Sequence, residues 1–465
     1  MKYLEDTIAA ISTAIGEAGI SVIRISGKDA IKIADKIFVG KRKLAEVRTH
    51  TAHYGKIVDS EGNVVDYVVA TVFKAPYSYT GEDTVEISCH GGILVTRKVL
   101  ETVLEAGARL AQPGEFTKRA FLNGKIDLSQ AEAVADLIRS ATELAYQSSL
   151  SQLEGALSKK IKKMREDLIN LCSLVELELD FADEDLEFVD KPQLAEKIKN
   201  AIAEIDELIE TFKFGKIYRE GIKVVIAGKP NAGKSSLLNA LLNENRAIVS
   251  EIPGTTRDVI EESLNIEGVL FRIVDTAGLR ETFDIVEREG VRRTEEQLKR
   301  ADMILLVIDS TDEINEEDVR IYHRVLNFSV DESKRCIIVF NKVDLLDGNR
   351  PNMDMKIMVD FPVVYISALT GFGLEKLKKL MVEQSFFGMN RAEANVVVTN
   401  VRHRDALLRA KQSLLFALKS LEQGMSGDLV AVDLRAGLNH LGEIIGEVTT
   451  DDILNNIFSK FCIGK

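Results

Sequence analysis

At 465 residues the chain exceeds one ordinary domain, and about 100 to 200 residues per domain implies two to four. With 45% hydrophobic and 29% charged residues, and no apolar run approaching the roughly 20 residues of a membrane span, the composition is that of a soluble globular protein and argues against a membrane-spanning one. A net charge of -13 sets bulk electrostatics against nucleic acid, so any RNA binding must use local basic patches.

In chain order, the first residues carry acids where a secretory leader would be basic, which predicts a cytosolic protein. Residues 1 to about 118 mix β-rich runs at 20–25, 68–73 and 84–88 with glycine turns and one helical pattern near 93–106, predicting an α+β domain. Prolines are absent from 114–191 and from 363–465, which leaves room for long helices. From Leu150 the apolar positions Leu153, Leu157, Ile161, Met164, Leu168, Leu171 and Val175 step by three or four, the pattern of a long amphipathic helix. Residues 193–213 and 402–423 repeat that periodicity, so an all-α helical domain should take helices from both sides of an inserted block at about 220–382. Within the block, β-type runs at 223–227, 271–274, 303–309, 336–340 and 363–366 alternate with helical stretches, predicting a mostly parallel α/β sheet. Cys89, Cys172, Cys336 and Cys462 lie far apart, so neither a disulfide framework nor structural zinc is indicated.

The inserted block carries the most chemistry. Lys223-Val-Val-Ile-Ala-Gly228 reads as a strand and Ser235-Ser-Leu-Leu-Asn-Ala-Leu as a helix start, with Gly228-Lys-Pro-Asn-Ala-Gly233-Lys234-Ser235 between them. Such a turn aims backbone N–H groups at a β-phosphate, while Lys234 bridges β- and γ-phosphates and Ser235 offers a hydroxyl to Mg²⁺. Asp275-Thr276-Ala277-Gly278 follows a strand 47 residues after Gly228. Asn341-Lys342-Val343-Asp344 closes another strand 66 residues after Asp275, and the Asp344 carboxylate suits the paired N1 and N2 donors of guanine. Ser367-Ala368 would place a backbone amide near guanine O6. The ordered set predicts an inserted Ras-like P-loop GTPase domain. The threonines of Gly254-Thr255-Thr256 suit a switch that orders with the γ-phosphate. Leu279 stands where a water-positioning glutamine is common, so another group must orient the water; Arg280, Glu281, Asp284, Glu287 and Arg288 are candidates that composition does not separate.

Asp6-Thr-Ile-Ala-Ala10, Val22-Ile-Arg-Ile-Ser-Gly27, Tyr79-Thr-Gly-Glu-Asp83, Cys89-His-Gly-Gly92, Pro113-Gly-Glu-Phe-Thr117, Arg119-Ala-Phe-Leu-Asn-Gly-Lys125 and the terminal Phe461-Cys-Ile-Gly-Lys465 give the chain its strongest resemblance, over nearly its whole length, to the MnmE (TrmE) family of tRNA-modification GTPases. The resemblance implies an N-terminal tetrahydrofolate-binding and dimerisation domain at 1–118, a helical domain at 119–215 plus 383–465, and a GTPase domain at 216–382. It implies a cytoplasmic homodimer that works with the FAD-dependent partner MnmG on wobble uridine of certain tRNAs. The implied one-carbon donor is a 5-formyl or 5,10-methylene tetrahydrofolate, contacted at Arg24, Glu86, Lys125 and Lys465. For GTP it implies a binding set of Asn231, Ala232, Gly233, Lys234, Ser235 and Ser236, of Ser250, Glu251, Ile252, Pro253, Gly254, Thr255 and Thr256, and of the three later motifs. Mg²⁺ falls to Ser235 and Thr256, and K⁺ to Asn231, Ser250, Ile252 and Thr255. The water-orienting glutamate aligns with Glu287.

Cys462 does not fit a prenylation signal, since Gly464 and Lys465 follow it; a reactive thiol near the uridine chemistry and an inert one are alternatives. The runs Lys159-Lys-Ile-Lys-Lys163 and Arg402-His-Arg404 are candidates for tRNA phosphates, though charged helix faces are more often solvated. Two rival functions are a regulatory GTPase switch, for example in ribosome assembly, and a self-assembling scaffold GTPase. The N-terminal segment and the Lys465 tail speak against a plain switch, and no lipid-binding surface supports the scaffold.

Overall fold

The computed structural model describes residues 6–180, 191–245, 262–273, 298–299, 301–312, 314, 316–331, 335–346, 361–387 and 396–465. By internal contacts the chain divides into two compact units, Met1–Ala135 with Gln152–Leu194 and Phe416–Lys465, and Asp136–Ser151 with Ala195–Leu415.

The first unit holds a seven-stranded sheet. Its strands are β1 (Ile8–Ile11), β2 (Ala18–Ser26), β3 (Phe38–Gly40), β4 (Thr51–Val58), β5 (Val64–Phe73), β6 (Thr84–Gly91) and β7 (Arg109–Leu110), in the order β3-β4-β5-β6-β2-β1-β7. Alternation decides which face is core. Val68, Ala70 and Val72 of β5, Ile23 and Ile25 of β2, and Val85 and Ile87 of β6 are buried with Ala34, Ile37, Val99 and Val103 of the helices Ala30–Ile37 and Ile93–Glu105. The residues between them therefore point to the other face. Arg24 lies directly opposite Glu86 there, while Tyr54 and Tyr67 stack, exposed, at 6.5 Å between ring centroids.

The helix expected to run on from Leu150 is two helices, Glu143–Leu153 and Ala156–Asp180. Gly155 adopts a positive φ of 85°, and the Gln130 side chain takes the Leu153 carbonyl at 2.8 Å, which ends the first helix. The second packs on the helix Gly427–Ile445, where Arg165 donates to the Leu438 carbonyl and pairs with Glu447. The last helix, Asp451–Phe458, lays Leu454 and Phe458 against Leu128 and Ala131 and carries the chain back toward β1. At that return a Cβ on Gly464 would lie 2.0 Å from the Ile11 carbonyl, so only glycine lets the tail approach this strand.

In the second unit β8 (Ile222–Ala227), β9 (Glu262–Ile266), β10 (Val269–Ile273), β11 (Met303–Asp309), β12 (Arg335–Asn341) and β13 (Val363–Tyr365) form a sheet in the order β13-β12-β11-β8-β10-β9. All pairs are parallel except the β9–β10 hairpin. Both faces are buried. Leu305 and Val307 pack with Leu237, Leu241 and Leu377 on one side, while Ile304, Leu306 and Ile308 pack with Tyr322 and Val325 on the other. The strand β9 was not expected from its sequence. The predicted helices at 193–213 and 402–423 appear as Lys191–Glu220 and Val401–Glu422, tied by Lys411 and Asp206 at 2.6 Å.

Among the described residues no helix is long and apolar enough to cross a membrane.

Candidate nucleotide and N-terminal sites

The predicted phosphate loop leaves the carboxyl end of β8 and enters the helix Lys234–Asn245, the end of a parallel sheet where ligands of such folds bind. Asn231 takes a positive φ of 63° and Gly233 one of 91°, which turns successive amides to one side of the loop. The Lys234 ammonium folds back onto the loop, donating to the Gly228 carbonyl at 2.8 Å and the Lys229 carbonyl at 2.5 Å. Burial holds its pKa below the usual lysine value, and an anionic phosphate beside it would favour the charged form. Ser235 and Ser236 stand exposed in the first turn, where the helix dipole favours an anion. Lys229 is itself paired with Asp318 of the helix Glu316–Asp331.

Asn341 joins three motifs. Buried at 2% exposure, it donates through Nδ2 to the Ala232 carbonyl at 3.0 Å and accepts at Oδ1 from the Ala368 amide at 3.0 Å. One side chain thus fixes the phosphate loop against the Ser367-Ala368 turn, whose shape is set by Ser367 Oγ accepting from the Thr370 amide at 3.1 Å. Lys342 follows with a positive φ of 65° and pairs with Asp309 at the end of β11. Burial by itself would raise the Asp309 pKa; the Lys342 ammonium and the Thr311 donors outweigh it and hold the carboxyl below its ordinary value. Asp344 is exposed in the short 3-10 turn Val343–Leu345, open to a base.

The structure therefore brings Asn231, Ala232, Gly233, Lys234, Ser235, Ser236, Asn341, Lys342, Asp344, Ser367 and Ala368 to one end of one sheet. Ser250, Glu251, Ile252, Pro253, Gly254, Thr255, Thr256, Asp275, Thr276, Ala277, Gly278 and Glu287 lie outside the described residues. Sequence reasoning missed Asp309. An acid ending a strand two residues before Thr311 was the available signal, but nothing local linked it to Lys342.

In the first unit Arg24 Nε donates to Glu86 Oε1 at 2.8 Å. Its guanidinium lies 5.3 Å from the Tyr79 ring centroid and 5.6 Å from that of Phe116. Arg24 Nη1 is buried with no hydrogen-bond partner among the described residues. The terminal Lys465 reaches the same place. Burial and then the Arg24 charge push its pKa down, against smaller opposing effects of Glu86 and Cys462. Cys462 is exposed beside it. Lys125 is exposed and donates to the Pro76 carbonyl at 3.0 Å, at the start of the loop that carries Tyr79. Tyr79 and Phe116 were legible only as parts of motifs, not as site residues.

Arg119, 2% exposed, pairs with Asp6 at 2.6 Å, Glu115 at 3.0 Å and Glu82 at 3.2 Å, and Glu82 in turn accepts from Ser26 at 2.8 Å. Its role is architectural, since it locks β1, the Tyr79 loop and the helix Glu115–Leu122 together. Cys89 is buried in β6 and His90 pairs with Asp66 at 2.7 Å, so both serve the strand end. Of the basic runs, Arg404 lies 4.7 Å over the Phe212 ring and His403 is fully buried, so that segment is used in packing.

A parallel sheet with a phosphate loop after its first strand, and a guanine-reading Asn-Lys-x-Asp motif after its fifth, defines a P-loop GTPase domain inserted into a multidomain chain. A family model for the MnmE helical domain matches residues 128–462, and one for the GTP-binding protein TrmE N-terminus matches residues 7–125. The tRNA modification GTPase MnmE of Alkaliphilus oremlandii is 47% identical over 466 residues, covering 100% of both chains. That of Clostridioides difficile is 46% identical over 465 residues, again 100% of both. A solved G domain of the T. maritima FeoB iron transporter is 29% identical over 35% of this chain and 98% of its own, at a TM-score of 0.26, too low for a fold argument. The chain belongs to the MnmE family of tRNA modification GTPases. It is a GTPase with an α+β N-terminal domain, an all-α helical domain and an inserted Ras-like α/β domain.

Proposed function

We propose that the chain uses its GTPase cycle to gate addition of an aminomethyl-type group to C5 of the wobble uridine of certain tRNAs, in the cytoplasm, with an FAD-dependent MnmG partner. The observation that carries the covalent part is Arg24: a half-buried guanidinium with one buried nitrogen that has no partner among the described residues, beside Glu86 and Lys465. A plain nucleotide switch has no use for that arrangement. The donor set fits a reduced folate, 5-formyl or 5,10-methylene tetrahydrofolate. Glu86 suits the N–H edge of a pterin, Arg24 its oxygen and nitrogen acceptors, and Lys125 and Lys465 an anionic glutamyl tail. When bound, such a folate supplies the one-carbon unit. Glu86 and the two rings hold the Arg24 fork in orientation, and the lowered pKa of Lys465 marks a cation that gains from an anionic neighbour.

In the nucleotide site Ser235 and Asn231 are exposed on the phosphate loop, in keeping with Mg²⁺ held by Ser235 and Thr256 and K⁺ held by Asn231, Ser250, Ile252 and Thr255. These ions neutralise charge developing on the phosphates, and Glu287 orients the attacking water in place of the missing glutamine at Leu279. The proposed domains are 1–118, 119–215 with 383–465, and 216–382. The exposed Tyr54–Tyr67 pair on the open sheet face supports a homodimer formed through the N-terminal domains. Mass spectrometry of wobble-uridine nucleosides from cells lacking the protein tests the reading. Loss of the C5 modification is expected, and an unchanged nucleoside profile would overturn it.

A further inference from the structure

Asp309 ends β11 directly opposite Asn341 of β12, and its two carboxylate oxygens have separate duties. Oδ1 accepts from the Thr311 amide at 3.0 Å and the Thr311 hydroxyl at 2.7 Å, closing the turn after the strand. Oδ2 takes the Lys342 ammonium. Lys342 stands in the left-handed region between Asn341, which ties the phosphate loop to Ala368, and the exposed Asp344, the proposed guanine reader. Adjacent parallel strands are about 4.8 Å apart, so a lysine anchored at its backbone to β12 and at its ammonium to β11 has its methylene stem stretched across the carboxyl ends of both. Such a stem would offer an apolar surface two residues before Asp344.

We propose that Asp309 is a positioning residue for guanine recognition: through Oδ2 it holds the Lys342 stem as one wall of the base site, while Oδ1 serves only the turn. The proposal rests on Asn341–Asp344 being the guanine site, and Asp344→Asn tests that separately, since it should lower GDP affinity and raise affinity for xanthosine diphosphate. Asp309→Asn retains an oxygen acceptor for Thr311 but loses the charge opposite Lys342. It should raise the Kd for GDP and the KM for GTP by about threefold to tenfold, through faster release, with kcat much less affected. Lys342→Met, which keeps the stem and loses the ammonium, should weaken GDP similarly, and Asp309→Asn added to it should change nothing further. Thr311→Val breaks a contact on the turn side alone and should leave GDP affinity as it was. Wild-type affinity in Asp309→Asn, additivity of the two substitutions, or equal weakening by Thr311→Val would each overturn the proposal. Wild-type GDP preference in Asp344→Asn would instead remove the site reading beneath it. Stopped-flow release of a fluorescent GDP from the full-length protein, its competition with xanthosine diphosphate and steady-state GTP turnover supply these measurements, with circular dichroism to verify folding.

Discussion

Gly233 and Asn341 meet so closely that a Cβ on the glycine would lie 2.1 Å from the asparagine Nδ2. The asparagine cannot step aside, because both ends of its amide are engaged, with Ala232 and with Ala368. Gly233→Ala therefore has to distort either the phosphate loop or the guanine turn, at a backbone φ of 91° that already disfavours a side chain. Strain of about 1–3 kcal/mol together with a disrupted buried hydrogen bond of similar worth predicts at least about a 30-fold loss of GDP affinity. Equilibrium titration of the variant with fluorescent GDP checks it; affinity within a few-fold of the parent would show that the loop and the asparagine are not mechanically coupled.

Arg119 gives a stability prediction in the first unit. Replacing it by methionine keeps much of the volume but leaves Asp6, Glu82 and Glu115 facing one another without their shared cation. Breaking a buried ion-pair network by removing one partner costs about 3–5 kcal/mol, to be read as a shift in the denaturant midpoint. The pH dependence has a definite sign. Burial alone would raise the pKa of Asp6 and of Glu115, but hydrogen bonds from Arg109 and Arg119, with the Gln112 amide at Glu115, outweigh it and leave both below their ordinary values of 3.8 and 4.5. A carboxyl with a depressed folded pKa stabilises above its unfolded pKa and loses that contribution as pH falls through the folded one. The parent should therefore lose stability as pH drops below about 4.5, and Arg119→Met should lose less over the same interval.

Much of the nucleotide site was legible because its signals are local. A buried strand, a glycine turn and a helix start are adjacent in the sequence, and each motif ends a strand of apolar residues. The strand β9 escaped because Glu262-Ser-Leu-Asn-Ile266 is a polar edge strand that buries only alternate residues and depends on the turn at Glu267 and Gly268, both at positive φ, to pair with β10. The role of Arg119 escaped because its partners lie elsewhere in the chain, Asp6 at a separation of 113 residues and Glu82 at 37. No periodicity reports such a contact. Lys465 and Arg24 were joined only by family resemblance. The physical cause of their meeting, the close passage of Gly464 over Ile11, exists only in the folded chain.

Arg24 makes the folate reading testable without tRNA. Its Nε is engaged by Glu86 while Nη1 is buried with no partner among the described residues, so a ligand acceptor would complete the fork. Arg24→Lys keeps the charge but has no second nitrogen in that plane, and should weaken 5-formyltetrahydrofolate binding by about tenfold or more in calorimetric titration. GDP affinity serves as the control and should not change. Equal folate affinity in the two proteins would mean that the free nitrogen of Arg24 is not a ligand donor.

The hydrolytic step separates a cation effect from a water effect. Leu279 provides no side-chain amide to orient water, and Asn231, one of the proposed K⁺ ligands, is exposed on the phosphate loop. A cation there takes the role of an arginine finger and stabilises charge that develops only in the transition state, so it should raise kcat more than it lowers KM. GTP turnover should be faster in K⁺ than in Na⁺ at equal ionic strength. Glu287→Ala acts on the other component. It should leave GTP affinity within about twofold and lower kcat by roughly 100-fold, the scale of a lost acid–base or water-orienting group. If turnover is equal in the two salts while Glu287→Ala is still impaired, the cation assignment fails and the glutamate assignment stands. If Glu287→Ala turns over like the parent, the water must be oriented by another of the charged groups between Arg280 and Arg288.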